Sequence, residues 1–441
     1  MTLTARGQPD TNRPMSRAAN RLCVGRRGGL GVVFAALVGS SGCAHAPYSV
    51  DESLRHAGRF LTPRPFAAVA AYDEDGRAFA LGRCHFRDCE RGAVRSYHVP
   101  PGHPLEPYLA DRSFVYDDAL AVIALALVGR RDEARAVGNT LTTLLTSDAA
   151  LGFSFSLASP PFYNVGYVRA GTMAWAGYAL ALYDAITRER RFTPYAQRIA
   201  DRLLASRIDG AADPRAGLVP GGRGAWRDHY RSFDARHVAS YCATEHQIDT
   251  YFLLAALAPG DPTGRYRAAA EQLAARIDAA LWMPSEGRFA VAVTAQGVVT
   301  DRALDAAGAW GALFLLARGD RARAERAMDY TLRTFSREGG GFTPYAGAID
   351  DYPGQDFSRT LFAEGSAGVA LALLRLGRAR EAAAISETLR ALQRDGDGGV
   401  VYAVPPSEDF PDLPAAAPTA WLLFLERERR DHHLIVFGGA P

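Results

Sequence analysis

Several stretches of this 441-residue chain place carboxyl groups where a long apolar run begins. Asp117 and Asp118 open "VYDDALAVIALALVG", Glu245 and Asp249 lie in "TEHQIDTYFLLAALA", and Asp301 and Asp305 precede "AAGAWGALFLLARG". Glu364 begins "EGSAGVALALLRLG", with Asp350, Asp351 and Asp356 in the loop ahead of it. An acid at a helix start has two uses. It can cap the helix or face its dipole. A pair of acids can instead cleave a glycosidic bond, one protonating the leaving oxygen while the other activates water or attacks carbon. Thr244 and Gln247 have the spacing of a capping box, and Asp117 suits an N-cap. Taken singly, each acid reads more readily as a cap than as a catalyst. Asp249 resists that reading: it lies one turn below Glu245 inside an apolar run, where a buried carboxylate needs a partner. His246, three residues earlier, can supply one. Asp305 and Glu364 sit among Ala and Gly, where capping does not reach.

The elements that hold these acids alternate in character. The segments just quoted, with "RAGTMAWAGYALALYDAI" and "APTAWLLFLE", are apolar nearly all round and rich in Ala and Gly. A helix of that kind is buried on every side. Between them run Arg-rich amphipathic segments; in one of these Tyr266, Ala270, Leu273, Ile277 and Leu281 keep the helical i, i+4, i+7 pattern. Repetition of such pairs predicts an all-α (α/α)6 toroid over 111–430, with six inner helices and five or six outer ones. Residues 44–110 read as a lead-in packed on the toroid, able to supply the sixth outer helix, and 431–441 as a tail. In a toroid the inner helices start at one mouth, which gathers the acids. Long loops rich in Gly, Pro and aromatics carry function there.

The alternation, with "VYDDALAVIAL", "VRAGTMAWAGYAL" and "ATEHQIDTYF", resembles the six-hairpin glycosidase superfamily, and in particular its secreted bacterial proteins with a Tyr-Asp-x-Ala-Leu opening helix and a Ser/Thr-Glu-His segment. The resemblance spans roughly 110–427 and implies a carbohydrate substrate. It specifies the fold better than the reaction, because members include hydrolases, phosphorylases, lyases and epimerases. The paired acids favour a glycoside hydrolase of a poly- or oligosaccharide. Glu245 is the expected general acid and Asp118 its partner base, with Asp305 and Glu364 as reserves; the converse has Glu245 as base and Asp305 or Glu364 as donor. Tyr116, Asp117, Arg169, Trp226, His246 and Asp249 are expected to bind substrate, Trp226 as a stacking platform in a Gly-rich loop. Trp175 and Trp310, inside inner helices, read as packing. A lyase would use His246 with Tyr and Arg169; an epimerase or a non-catalytic glycan-binding protein are the remaining alternatives. No Asp-x-Asp-Asp motif, P-loop, G-x-S-x-G or H-E-x-x-H pattern is present. No metal or cofactor is expected, and a monomer is.

Composition agrees with a folded enzyme. With 48% hydrophobic and 10% aromatic residues the chain can bury a large core. The 50 basic residues are all Arg and scattered, and the net charge of +2 does not suit nucleic acid. Residues 1–43 read as a secretory signal, with the true start at Met15: Arg17, Arg21, Arg26 and Arg27 precede "LGVVFAALVG" and then "SSGCAHAP". Gly42-Cys43 resembles the end of a lipobox, although Ser40 stands where Leu or Val is usual. The expectation is export, to the periplasm of a bacterium or to its membrane through a lipid at Cys43. Cys84 and Cys89 are expected to form a disulfide across a tight loop, and Cys242 to be a buried thiol.

Overall fold

The inner segments can pack helix against helix closely because Ala and Gly dominate their surfaces, and the computed structural model shows them doing so. It describes residues 47–438 apart from residues 69, 75–76, 83–85, 87, 159–160, 228–231, 350–353, 394–396, 408 and 433–434. Contacts divide the chain into Met1–Ala44 and His45–Pro441, and all described residues belong to the second unit. The expected signal, Cys43, Cys84, Asp350 and Asp351 lie outside the described residues. Cys89 is disulfide-bonded, and Cys242 is a buried free thiol.

The lead-in supplies α1 (Val50–Phe60) and the single turn α2 (Glu106–Leu109). Inner and outer helices then alternate: α3 (Val115–Leu127) and α4 (Arg131–Leu144), α5 (Ala170–Thr187) and α6 (Thr193–Ala205), α7 (Thr244–Leu257) and α8 (Arg265–Leu281). They continue with α9 (Trp310–Ala317) and α10 (Arg321–Phe335), α11 (Ala363–Arg375) and α12 (Ala379–Ala391), and end with α13 (Ala416–Asp431). The odd-numbered helices from α3 onward form the inner ring. Each packs on the next, and α13 closes against α3. Every residue of α5 from Ala170 to Asp184 is buried, and so are Ala363–Leu373 of α11 and Ala416–Glu426 of α13. The chain is an (α/α)6 toroid.

The outer helices bury one face each. On α8, Tyr266, Ala270, Leu273, Ile277 and Leu281 are all buried, as their spacing predicts. The sixth outer helix is α1, which packs against α13. Ser49 and Glu52 cap it reciprocally, and its apolar side sinks Leu54, Ala57 and Phe60. Burying a Leu or Phe side chain contributes roughly 1.5–3 kcal/mol, so two such anchors hold this short helix.

Five inner helices are entered straight from short strands. Arg112–Phe114 pairs with Ser154–Ser156 ahead of α3, and Val168–Arg169 with Gly222–Arg227 ahead of α5. Cys242–Ala243 pairs with Ala292–Thr294, Leu361–Phe362 with Ala403–Val404, and Pro414–Ala415 with Val400–Val401. These pairs staple the loops around the mouth. They also replace caps: the preceding residues Phe114, Arg169, Ala243, Phe362 and Ala415 are extended and make no side-chain cap bond. The capping box expected at Thr244 is therefore not formed. Thr244 Oγ1 donates to the Ala290 carbonyl at 2.5 Å, and the Gln247 amide pairs with both backbone groups of Val219 at 2.8 Å. Asp117 is likewise no N-cap.

Before α9 the chain makes a π-helical turn, Asp305–Ala309. Gly308 within it presses on α10, and an ideal Cβ there would stand 2.0 Å from Thr331 Oγ1. Gly308→Ala should therefore overpack this contact and cost about 1–3 kcal/mol. A thermal melt checks this, and an unchanged Tm would refute the close approach.

Candidate active site

The strands deliver five of the inner helices to the mouth in the same way, so equivalent positions share a layer. Tyr116, Glu245 and Glu364 are the second residues of α3, α7 and α11, and Asp305 opens the π-turn. Asp117 follows Tyr116, and Asp249 lies one turn beneath Glu245. Asp117, Asp249 and Glu364 are only 5–6% exposed, whereas Glu245 and Asp305 are half-buried.

These five carboxyls feel one another. Burial, then the charges of Asp117 and Glu245, raise Glu364 to a pKa of about 8, against hydrogen bonds that lower it. Burial raises Asp305 well above the usual range, with Glu245 and Glu364 adding to the shift. Burial also raises Asp249, again with help from Glu245 and Asp305. Burial lifts Asp117 to about 7 despite a hydrogen bond from Ser96, and it raises Glu245 too. Glu245 recurs in three of these shifts and is the hub. Like charges so confined cannot all ionise at neutral pH, so the cluster shares a few charges and holds several protons.

Aromatic donors support the carboxyls from below. Tyr116 donates to Glu364 Oε1 at 2.5 Å and accepts from Trp421 Nε1 at 3.0 Å. The indoles of Trp175 and Trp310 hydrogen-bond Asp249 and hold its pKa down, while its Oδ1 has no partner among the described residues. Trp175 and Trp310 thus do more than pack. Asp305 Oδ1 and His246 Nδ1 are also buried without a partner there. His246 packs on α5, where an ideal Cβ on Gly171 would stand 2.4 Å from its Cδ2 and 3.0 Å from Asp249 Oδ2. Only glycine leaves room for that ring. Burial, then the charge of Arg169, lowers His246 to about 4, so it is neutral at ordinary pH.

The remaining expected residues divide. Asp118 is fully buried and turned from the cluster toward the lead-in: its carboxylate accepts from the Val94 N–H and the Ser113 hydroxyl, both at 2.9 Å. The Arg169 guanidinium binds the Arg223 carbonyl at 2.9 Å and that of Gly224 at 3.1 Å, and lies over the Tyr167 ring. Trp226 stands half-buried on the hairpin of Gly222–Arg227 and Ser232–Ala239, its ring 5.0 Å from that of Phe233. Asp356 sits on an exposed turn, its carboxylate accepting from the Ser358 N–H at 2.9 Å. Two site residues escape the sequence patterns altogether. These are Tyr97 and Tyr402, whose hydroxyls burial holds protonated beside the charges of Glu364 and Asp117. Neither lies in a periodic segment, so no spacing points to them. Among the described residues no group of three or more His, Cys, Asp and Glu side chains is arranged to hold a metal ion.

No protein-family model matches the sequence, and neither does a curated protein. Solved structures do match in fold. A D-mannose isomerase superposes with a TM-score of 0.58 at 12% identity, covering 86% of this chain and 96% of that one. A family 76 glycoside hydrolase from a bovine Bacteroides thetaiotaomicron strain gives 0.56 at 11% identity, covering 86% and 77%. A wild-type glycosidase gives 0.54 at 12% identity, covering 86% and 96%. The likeness is one of fold.

The raised carboxyls make stability depend on pH in a defined sense. Asp117 and Glu364 ordinarily titrate at 3.8 and 4.5, and here near 7 and 8. At low pH they are neutral in folded and unfolded chains alike. As pH rises through this window the unfolded chain alone releases protons, so the stability present at low pH is lost. Tm should be higher at about pH 5 than at about pH 8.5, and Glu364→Gln should raise the latter by roughly 2–5 °C. Lower or unchanged stability of Glu364→Gln at the alkaline pH would contradict a buried Glu364 whose pKa is raised to about 8.

Proposed function

We propose that the protein is an exported glycoside hydrolase acting on a poly- or oligosaccharide by carboxylate acid–base catalysis. The observation that carries this reading is the pairing of a buried carboxyl held protonated to about pH 8, Glu364, with a half-buried one, Glu245, at the same mouth. Glu364 is the proton donor to the leaving oxygen. Glu245 is the base or nucleophile, since it is more accessible than Glu364. This is the converse of the two assignments open from sequence, and Asp117 rather than Asp118 stands beside Glu364. The free oxygens of Asp249 and Asp305 accept sugar hydroxyls, and His246 Nδ1 meets another. Tyr241, 36% exposed with its ring 6.3 Å from that of His246, and Trp226 offer faces on which sugars stack.

A second reading draws on His246. A neutral imidazole beside the mouth carboxyls can move a proton at carbon, and one protein of similar fold is a D-mannose isomerase. Product analysis separates the two: hydrolysis shortens a glycan, whereas isomerisation changes a free sugar without cleaving anything.

The hydrolase reading sets the pH profile and the response to leaving group. On a glycan substrate kcat/KM should fall above about pH 8, as Glu364 loses its proton. Glu364→Gln should lose roughly 10²–10⁴-fold on glycans yet little on a nitrophenyl glycoside, whose leaving group departs unprotonated. Glu245→Gln should lose about 10²-fold or more on both. Equal losses for Glu364→Gln on the two substrates would remove it from the donor role, and a near-normal Glu245→Gln would sink the assignment of the base.

Export rests on the Arg-rich n-region, the apolar run and Gly42-Cys43. In the native host the mature protein should begin at or near Cys43 and fractionate outside the cytosol. A membrane-bound fraction that Cys43→Ala releases would identify the lipid anchor; unprocessed protein in the cytosol would refute export.

A further inference from the structure

The tail beyond α13 does not leave the molecule. Phe437 enters the axis of the ring from the end opposite the mouth and is 1% exposed. Its ring lies parallel to that of Trp421, 5.0 Å away at 13°, and packs edge-on against Trp175 at 5.7 Å and Phe252 at 5.4 Å. Its N–H donates to Tyr178 Oη at 2.7 Å. Arg375, the last residue of α11, clasps the segment by donating to the carbonyls of Val436 at 2.8 Å and Phe437 at 2.9 Å. Glu428 of α13 holds that guanidinium with paired hydrogen bonds of 3.1 and 3.0 Å. So many convergent restraints on one tail ring call for a role beyond filling space.

Trp421 is the point of contact with the chemistry. One face of its indole carries Phe437, and its Nε1 hydrogen-bonds Tyr116, which in turn hydrogen-bonds Glu364. A stacked neighbour fixes the plane of an indole, and the plane fixes where its N–H points. The same ring, buried among Trp421, Trp175 and Phe252, packs beneath the residues that hold the carboxyls. We propose that Phe437 sets the surroundings of the proton donor Glu364 by sealing the floor of the site beneath Trp421 and Tyr116. The proposal rests on Glu364 being that donor.

Two opposed effects make it testable. Burial is the largest cause of the raised pKa of Glu364, and the Tyr116 hydrogen bond opposes it. Opening the floor admits water and lowers the midpoint; removing the Tyr116 hydroxyl alone leaves the floor closed and raises it. The experiment follows the side-chain carboxyl of Glu364 by 13C NMR in the full mature chain labelled at Glu, with the signal assigned by its loss in Glu364→Gln. No substrate is needed. The midpoint should lie near 8 in the unaltered protein. It should fall by about one pH unit in Phe437→Ala and rise in Tyr116→Phe. Should Phe437→Ala unfold, Arg375→Gln removes the clasp on the tail without deleting any ring, frees Phe437 to leave the axis, and carries the same expected fall. A midpoint within about 0.2 units of the unaltered value in a folded Phe437→Ala, or one that rises, overturns the role of the tail. A midpoint near the ordinary 4.5 in the unaltered protein instead overturns Glu364 as donor, so the two failures are distinct.

Discussion

Five carboxyl groups crowded at one end of a ring of helices are the constraint to which the rest of this structure answers. Each loses water on burial and gains a like-charged neighbour, and both effects favour the neutral acid. The forces that offset them are local and directional. The inner helices begin without side-chain caps, so the positive ends of their dipoles are left to the acids. Beneath them, indoles and a phenol aim donors upward while presenting apolar rings to the core. Few side chains meet both demands at once, which is why Trp and Tyr line the floor. The balance leaves the cluster short of full ionisation, which is the condition acid–base chemistry needs.

The toroid supplies this arrangement through a simple repeated unit. A short strand pair orients the chain, an uncapped helix starts at once, and its second residue points into the mouth. The Ala- and Gly-rich run of each inner helix lets six such helices share one axis, while Arg-rich outer helices cover them. The π-turn before α9 departs from this unit, and it lies at the acid Asp305. An extra residue in a helical turn shifts the phase of the turns beyond it, and such turns concentrate at functional sites. Here the shift brings Trp310 beneath the layer, so that its indole reaches Asp249 of the neighbouring helix.

Much of this is legible in the chain, and the places where it is not have identifiable causes. Periodicity reveals inner and outer helices because burial on all sides or on one face leaves different patterns, and Tyr266 through Leu281 sit where that pattern puts them. The capping-box spacing of Thr244 and Gln247 misleads because backbone groups of distant segments, which no local pattern reveals, have taken both side chains. Asp118 and Asp117 are hard to tell apart because a helix that is apolar all round marks no inward face. One residue is a rotation of about 100°, enough to send Asp118 to the lead-in and leave Asp117 near Glu364. Tyr97, Tyr402 and Phe437 come from irregular segments, and their positions follow from closure of the ring rather than from any spacing.

The second residues of the inner helices show how little of the chain sets the chemistry. Around the ring they are Tyr116, Gly171, Glu245, Asp305 at the π-turn, Glu364 and Ala417. Three are acids and one a hydrogen-bond donor to an acid. The other two are small, and the His246 ring from the next helix occupies the space that Gly171 leaves. None of these identities is required by the helix that bears it, because strand and ring contacts already fix its start and its phase. Exchanging one of the acids in this layer therefore alters charge and proton affinity at the mouth with little effect on the scaffold, whereas Gly171 has no room for a Cβ beside His246. The converse holds for the floor: Trp421, Trp175 and Phe437 touch one another across helices, so a change there moves the donors that the acids depend on. In the proposed reading, reactivity is written in the mouth layer and its tuning in the layer beneath.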